Sequence, residues 1–234
     1  VEGVNSGHLI EIGARPNTGK TSFHASLIAA PGGFAHQGAN CIILCNEEGY
    51  HRVGARYLTA ATGMTMREVK DNPAKARELY APVKERIKIK DATGRDMNWV
   101  ESICKSYKPD IVLLDMGDKF AKTGGFARTD EALKANAVHA RMIAKQHECA
   151  IFYMSQLSAD AEGKVLLNQS MMEGSRTGKA AEADLMVLIA KNPVVDGQEE
   201  EDTQRHLNVV KNKLTGWHGV VHCELEYQTA RYTV

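Results

Sequence analysis

The sequence lacks a long hydrophobic run, because none approaches the roughly 20 apolar residues that a helix needs to span a bilayer. It has no C-x-x-C pair among its five cysteines, and its nine histidines form no cluster with metal-ligand spacing. These absences argue against a membrane protein and a structural metal site, and they favour a reducing compartment. Net charge is also missing, since 29 basic residues balance 29 acidic ones. A nucleic-acid ligand would therefore need a local basic patch.

Strand and helix patterns alternate along most of the 234-residue chain. Apolar runs predict strands at 9–12, 39–45, 87–90, 111–114, 150–154 and 185–190. The alternation implies an α/β fold with a mainly parallel central sheet flanked by helices. Two further strands, 206–210 and 220–225, are separated by turn glycines and predict an antiparallel C-terminal edge. We expect a single domain over residues 1–234, preceded in the full protein by an N-terminal domain and linker that this sequence does not contain.

The segment 13–21 matches the phosphate-binding loop G-x-x-x-x-G-K-[ST] at every defined position. It lies between an apolar strand and a helical pattern, which is the context such a loop requires. Its backbone N–H groups would face the phosphates of a nucleoside triphosphate. Lys20 would add a charge at the β- and γ-phosphates, and Thr21 would supply a hydroxyl for Mg²⁺. The predicted nucleotide-binding residues here are Gly13, Ala14, Arg15, Pro16, Asn17, Thr18, Gly19, Lys20, Thr21 and Ser22.

A carboxylate follows the predicted strand 111–114 at the strand's carboxyl end. In open α/β sheets, ligands bind at this edge. Asp115 is therefore expected to hold Mg²⁺ or its bound water near the phosphate loop. Asp118 is the alternative carboxylate in the same loop, and we expect it to be solvated.

Two other strand ends carry polar side chains with chemical potential. Glu47 follows the second strand, where a carboxylate can orient and deprotonate the attacking water. Its neighbour Glu48 competes for that role. Gln156 follows the strand at 150–154 and can both donate and accept hydrogen bonds, as a γ-phosphate sensor must.

The ordered set of motifs resembles the RecA-type motor of the DnaB family of replicative helicases, including the helicase halves of phage primase-helicases. The segments that carry the resemblance are 15–23, 45–47, 113–115, 155–157 and 183–185. The resemblance implies a RecA-like P-loop NTPase that hydrolyses ATP, or another NTP or dNTP, with Mg²⁺. It implies a homo-oligomeric ring, usually of six subunits, that translocates on single-stranded DNA and unwinds duplex. It also implies a primase as a fused or separate partner, and the cytoplasm of a bacterial cell or phage-infected host.

The resemblance also assigns roles to particular residues. Glu47 corresponds to the catalytic base and Gln156 to the γ-phosphate sensor, while Lys191 and Tyr227 would lie near the nucleotide base. Loops 116–129 and 159–180 would face the central channel. The basic residues that would then contact DNA phosphates are Lys122, Arg128, Arg176 and Lys179.

One segment departs from the family pattern. Lys211 and Lys213 occupy the place where a lysine, a spacer and an arginine finger are usual. A lysine supplies charge but lacks the two-pronged donor set of arginine. Either the two lysines act together, or hydrolysis is slow, or another arginine such as Arg205 or Arg231 supplies the finger. Two other function classes stay open, namely a RecA- or KaiC-like ATPase without unwinding and a binding module that has lost ATPase activity.

Overall fold

The structure is a computed structural model that describes residues 3–122, 129–173, 178–193 and 202–234. Within these ranges one sheet contains nine strands. They are β1 (Leu9–Ala14), β2 (Cys41–Cys45), β3 (Ile87–Asp91), β4 (Ile111–Asp115), β5 (Ala150–Gln156), β6 (Leu185–Lys191), β7 (Gln204–Asn212), β8 (Gly219–Glu226) and β9 (Arg231–Thr233). The helices are α1 (Lys20–Ala29), α2 (Tyr50–Thr62), α3 (Met66–Asp71), α4 (Pro73–Lys84), α5 (Met97–Tyr107), α6 (Thr129–Gln146) and α7 (Gly178–Glu182).

The strand order is β3-β2-β4-β5-β1-β6-β7-β8-β9. The pairs from β3 to β6 are parallel, and those from β6 to β9 are antiparallel. The predicted parallel sheet with an antiparallel C-terminal edge is therefore confirmed. The short strand β9 and the short helix α7 were not predicted from the sequence.

The loops between these elements end helices where the sequence provides capping residues. Thr65 and Glu68 form a capping box, in which each side chain accepts a hydrogen bond from the other's backbone N–H. The Asn72 side chain accepts from the Lys75 N–H, and Pro73 begins α4. The predicted interruption at Pro73 is thus a break between two helices.

Both faces of the parallel sheet are buried, so neighbouring residues on one strand enter different cores. Ile10 packs in the cluster with Ile28 and Tyr57 of the first two helices. Leu9 packs in the cluster with Val100 and Ile143 of α5 and α6. Because the sheet is held on both sides, its carboxyl-terminal edge is a rigid base for a site. No helix of the described residues is long and apolar enough to cross a membrane.

Candidate active site

A cavity of about 450 Å³ lies at the carboxyl-terminal edge of the sheet. This volume is in the range of small-molecule sites. Its lining residues come from the phosphate loop, the ends of β2 and β5, α2 and the turn after β8: Ala14, Arg15, Pro16, Asn17, Gly19, Lys20, Thr21, Ser22, Glu47, Glu48, Arg56, Gln156 and Tyr227. The structure thus brings most of the predicted nucleotide residues into one cavity with Glu47 and Gln156.

The conformation of the phosphate loop depends on two glycines. A Cβ at Gly13 would lie 2.8 Å from Leu188 and 2.9 Å from Leu157, so the loop leaves β1 without room for a side chain. Gly19 has φ of +101° and caps α1, a conformation that disfavours other residues. A Cβ at Gly19 would also lie 2.7 Å from the Tyr232 hydroxyl.

Two side chains from the antiparallel edge bind the backbone carbonyls of the loop. Arg205 Nε donates to the Thr18 carbonyl over 2.8 Å, and the Tyr232 hydroxyl donates to the Gly19 carbonyl over 3.2 Å. Neither contact has a local sequence signal, because each joins residues about 200 positions apart. The hypothesis that Arg205 supplies an arginine finger is wrong for this structure, since its guanidinium is fully buried against its own loop.

The two adjacent glutamates after β2 have different partners. Glu47 Oε2 lies 2.9 Å from Lys20 Nζ, and its Oε1 lies 3.3 Å from Lys119 Nζ. Glu48 Oε2 instead lies 2.6 Å from an Arg56 guanidinium nitrogen. Glu47 is therefore the glutamate that contacts the phosphate-loop lysine. This geometry favours Glu47 over Glu48 as the group nearest the reacting phosphate.

The charges around Glu47 keep it ionised. Burial raises the pKa of the Glu47 carboxyl, but the hydrogen bond and charge of Lys20, together with Lys119, lower it to below its ordinary value. A carboxylate in this state can accept a proton from water. A phosphate that attracts the Lys20 ammonium would weaken the ion pair and free a carboxylate oxygen.

Asp115 lies at the end of β4 with a fully buried side chain. Neither of its carboxylate oxygens has a hydrogen-bond partner among the described residues. Burial raises its pKa to about 6, with Lys20 opposing and Glu47 adding to that shift. The nearest histidine nitrogen, His24 Nε2, is 3.8 Å away, and burial lowers the pKa of that imidazole to about 3, so it carries no charge.

Unpaired carboxylate oxygens beside a phosphate loop fit the ligand chemistry of Mg²⁺, which prefers oxygen donors and retains water molecules. The buried oxygens of Asp115 meet this requirement, and the Thr21 hydroxyl group is available from the cavity wall. These two residues would hold the ion directly or through its water.

The remaining predicted nucleotide residues fall in different places. Tyr227 lines the cavity and has 42% of its surface exposed, so its ring is accessible. Lys191 instead lines a smaller pocket beside Thr18 and Asn192, outside the main cavity. Arg15 is fixed by Glu162 at 2.8 Å and the Leu157 carbonyl at 2.9 Å.

Lys211 and Lys213 lie at the opposite edge of the sheet from the phosphate loop. Lys211 pairs with Met186 near the start of β6, and the Lys213 N–H donates to the Asp184 carbonyl over 2.8 Å. Burial and the charge of Lys213 lower the pKa of Lys211. Within one chain these lysines cannot reach its own cavity.

Arg231, the other alternative finger, donates to the Ala60 and Ala61 carbonyls over 2.8 and 3.2 Å. These carbonyls belong to the last turn of α2. The hypothesis that Arg231 acts as a finger is therefore not supported, because its guanidinium is engaged within its own chain.

Of the four predicted DNA-contacting residues, two are described. Lys122 is exposed. Lys179 is 1% exposed, and its ammonium lies 2.8 Å from Asp118 Oδ2. The prediction of a DNA contact for Lys179 is therefore wrong for this structure, and so is the expectation that Asp118 is solvated. Arg128 and Arg176 lie outside the described residues.

The Lys179 ion pair belongs to a buried polar network. Lys179 Nζ lies 3.4 Å from Ser155 Oγ, which donates to Glu11 Oε1 over 3.0 Å. The Tyr153 hydroxyl donates to Asp118 over 3.2 Å. Burial is the main cause that raises the pKa of Glu11 to about 7, although Lys179 opposes it. The network joins β1 and β5 to α7 and to the turn after β4.

A mainly parallel sheet with a phosphate loop and two carboxylates at its carboxyl-terminal edge defines a RecA-type P-loop domain. The chain belongs to the DnaB-like helicase C-terminal domain family, whose sequence profile matches residues 1–234. This membership confirms the resemblance and supports the role of a replicative helicase motor. Comparison with curated protein sequences returns no match.

Two similar solved structures support the same fold. The first is the solved ATPase domain of another protein, with a TM-score of 0.85 and 17% identity, covering 99% of this chain and 86% of that one. A second structure, of a DnaB-like replicative helicase and its interactions with primase, has a TM-score of 0.83 and 16% identity. It covers 98% of this chain, which spans 57% of the helicase chain. At these identities the likeness concerns the fold, and it confirms the predicted RecA-like architecture.

Proposed function

We propose that this chain is the ATP-hydrolysing motor of a ring-shaped replicative DNA helicase that translocates on single-stranded DNA and unwinds duplex. The observation that carries the proposal is the contact between Lys20 of the phosphate loop and Glu47 in a cavity that Gln156 also lines. A binding residue, a base and a sensor for the terminal phosphate thus share one site. Family membership supports the same activity.

Nucleotide binding would depend on the phosphate loop and its neighbours. The loop would hold the phosphates of ATP, or of another NTP or dNTP, while Lys20 contacts the β- and γ-phosphates. Thr21 and Asp115 would hold Mg²⁺, which offsets phosphate charge when it is bound. The exposed ring of Tyr227 offers a face for the base, and Lys191 is the second residue proposed on that side.

The chemical step would use Glu47 and Gln156. When the Lys20 ammonium contacts phosphate oxygens, Glu47 is free to accept a proton from the attacking water. Gln156 can hydrogen-bond the γ-phosphate, because its amide both donates and accepts. Loss of that phosphate would change the bonding of Gln156 at the end of β5, close to Ser155 and the buried polar network.

Assembly would complete the site. Lys211 and Lys213 lie at the sheet edge opposite the loop, so we propose that they act on a neighbouring subunit's nucleotide in a homo-oligomer, a hexamer in the full protein. Single-stranded DNA would contact basic residues such as Lys122, together with Arg128 and Arg176. A primase, fused or separate, is the proposed partner, and the cytoplasm of a bacterium or phage-infected cell the proposed location.

The test is ATP hydrolysis and strand separation by the chain with Mg²⁺ and single-stranded DNA. Lys20→Ala should abolish both, because it removes the phosphate-loop charge. Lys119→Ala is the matched control, since Lys119 also contacts Glu47 but lies outside the loop. DNA-stimulated hydrolysis without strand separation would favour the RecA- or KaiC-like alternative. Equal hydrolysis by Lys20→Ala and the unaltered chain would contradict the proposed site.

A further inference from the structure

Arg205 connects three segments of the chain around the nucleotide cavity. Its side chain is fully buried, and Nε donates to the Thr18 carbonyl of the phosphate loop over 2.8 Å. One terminal nitrogen donates to the carbonyls of Asp202 and Gln204 over 2.6 and 2.5 Å. The other donates to the Tyr227 hydroxyl. One guanidinium therefore bonds both the phosphate side and the proposed base side of the site.

Tyr227 is held from behind by the same group. The Arg205 guanidinium carbon lies 5.4 Å from the centre of the Tyr227 ring, within the range of a cation–π contact. The Tyr227 hydroxyl also donates to the Asp202 carbonyl over 3.0 Å. Its ring nevertheless lines the cavity. The position of this exposed ring is therefore set by a buried cation.

A buried guanidinium is a costly way to fill space. Desolvation of the charge opposes folding, and the nearest carboxylate oxygen, on Asp202, is 3.8 Å from it. An apolar side chain would fill the same volume without that cost. What only arginine supplies is a planar set of donors pointing in several directions, and here these donors join the loop to Tyr227.

We infer that Arg205 is a positioning residue for the nucleotide. It fixes the loop backbone at Thr18 and the ring of Tyr227 at the same time, so that the phosphate and base sides are held at one separation. The inference rests on the proposed function, because it assumes that the cavity takes a nucleoside triphosphate. Its consequence is that Tyr227 contributes to binding only while Arg205 holds it.

Arg231 provides a matched control. It also lies on the antiparallel edge, and its guanidinium also donates to two backbone carbonyls, those of Ala60 and Ala61. Those carbonyls are in α2 and not in the phosphate loop. Arg231→Gln thus removes a comparable arginine contact without touching the proposed mechanism.

The first measurement is calorimetric binding of ATP and of inorganic triphosphate, each with Mg²⁺, to the 234-residue chain. Arg205→Gln should weaken ATP binding by about 10–100-fold, the equivalent of losing hydrogen bonds to a charged group. Arg231→Gln should leave ATP affinity unchanged. Arg205→Lys keeps the charge but loses the planar donors, so it should also weaken binding, and it replaces Arg205→Gln if that variant does not fold.

The second measurement combines Arg205 and Tyr227 variants. Tyr227→Leu should weaken ATP binding by about tenfold through lost stacking, and should leave triphosphate binding unchanged. In the Arg205→Gln background, Tyr227→Leu should have almost no further effect. Independent effects that multiply in the double variant would overturn the inference, as would wild-type ATP affinity in Arg205→Gln and Arg205→Lys.

Amide hydrogen exchange supplies a readout apart from binding. Arg205→Gln should speed exchange in residues 13–21, whereas Arg231→Gln should speed it at the end of α2. Unchanged loop exchange in Arg205→Gln would overturn the inference. Equal ATP binding by the unaltered chain and Lys20→Ala would contradict the proposed function itself. Tight binding that is lost in Lys20→Ala but kept in both Arg205 variants would contradict only the role of Arg205.

Discussion

Lys20 Nζ and Glu47 Oε2 lie 2.9 Å apart across the nucleotide cavity. The phosphate-loop cation and the proposed base thus neutralise each other in this structure. A ligand phosphate competes for the same ammonium, so its arrival would release the carboxylate where water is to be activated. This relationship links binding to the chemical step through one side chain and underlies the predictions about catalysis.

The first prediction concerns the buried pair of Lys179 and Asp118. Lys179→Ala should lower the free energy of unfolding by about 3–5 kcal/mol, because it leaves the Asp118 carboxylate buried without its cation. Lys122→Ala is the control, since that lysine is exposed. Urea denaturation of both variants measures the effect. If the two variants lose equally little stability, the Lys179 ammonium does not pair with Asp118 in the interior.

The second prediction concerns the pH dependence of stability. Burial raises the pKa of Glu11 from its ordinary 4.5 to about 7, although Lys179 and Lys211 oppose the shift and Asp118 adds to it. Between these pH values the folded chain binds more protons than the unfolded chain. Glu11 therefore lowers stability as pH rises from near 4.5 to above 7, the opposite of a salt-bridged carboxylate.

Glu11→Gln removes this contribution, because the amide resembles the protonated carboxyl at every pH. Glu11→Gln and the unaltered chain should be equally stable near pH 5, and the variant should be more stable at pH 8.5 by on the order of 3 kcal/mol. Urea denaturation at several pH values measures the difference, in which other titrating groups cancel. A difference that does not change with pH would mean that Glu11 titrates normally.

The third prediction tests Lys213 as a residue that acts on a neighbouring subunit. In the oligomer assembled on single-stranded DNA, Lys213→Ala should lower turnover and leave ATP affinity nearly unchanged, because the charge would stabilise the transition state more than bound ATP. Lys213→Arg should keep or raise turnover, since its fork can contact two phosphate oxygens.

Mixing Lys213→Ala subunits with Glu47→Gln subunits gives a sharper result. Some mixed interfaces would combine an intact base with an intact lysine, so partial turnover should return. Turnover of the mixture no higher than that of the separate variants would indicate that Lys213 acts within its own chain or only supports the strand.

The sequence predicted those parts of the site that depend on local motifs and on strand ends. The phosphate loop is a contiguous motif, and Glu47, Asp115 and Gln156 follow strands whose carboxyl ends must share one edge. Which glutamate contacts the loop was left to a preference, because only the fold separates the partners of Glu47 and Glu48.

Long-range polar contacts were not predictable in this way. Lys179 looked like a solvated loop cation because its partner, Asp118, is 61 residues away in the sequence. Arg205 contacts Thr18 across 187 residues, and no local pattern signals such a pair. The strand β9 is only three residues long, too short for an alternating pattern to indicate it.

The most direct test of the proposed motor compares two neighbouring variants, Glu47→Gln and Glu48→Gln, in the oligomer assembled on single-stranded DNA. ATP affinity and ATP hydrolysis are measured for both. Glu47→Gln should bind ATP as the unaltered chain does and hydrolyse it about 10²–10⁴-fold more slowly, the usual effect of losing a general base. Glu48→Gln should keep most of the activity, because Glu48 pairs with Arg56. Normal hydrolysis by Glu47→Gln with inactive Glu48→Gln would contradict the assignment of the base.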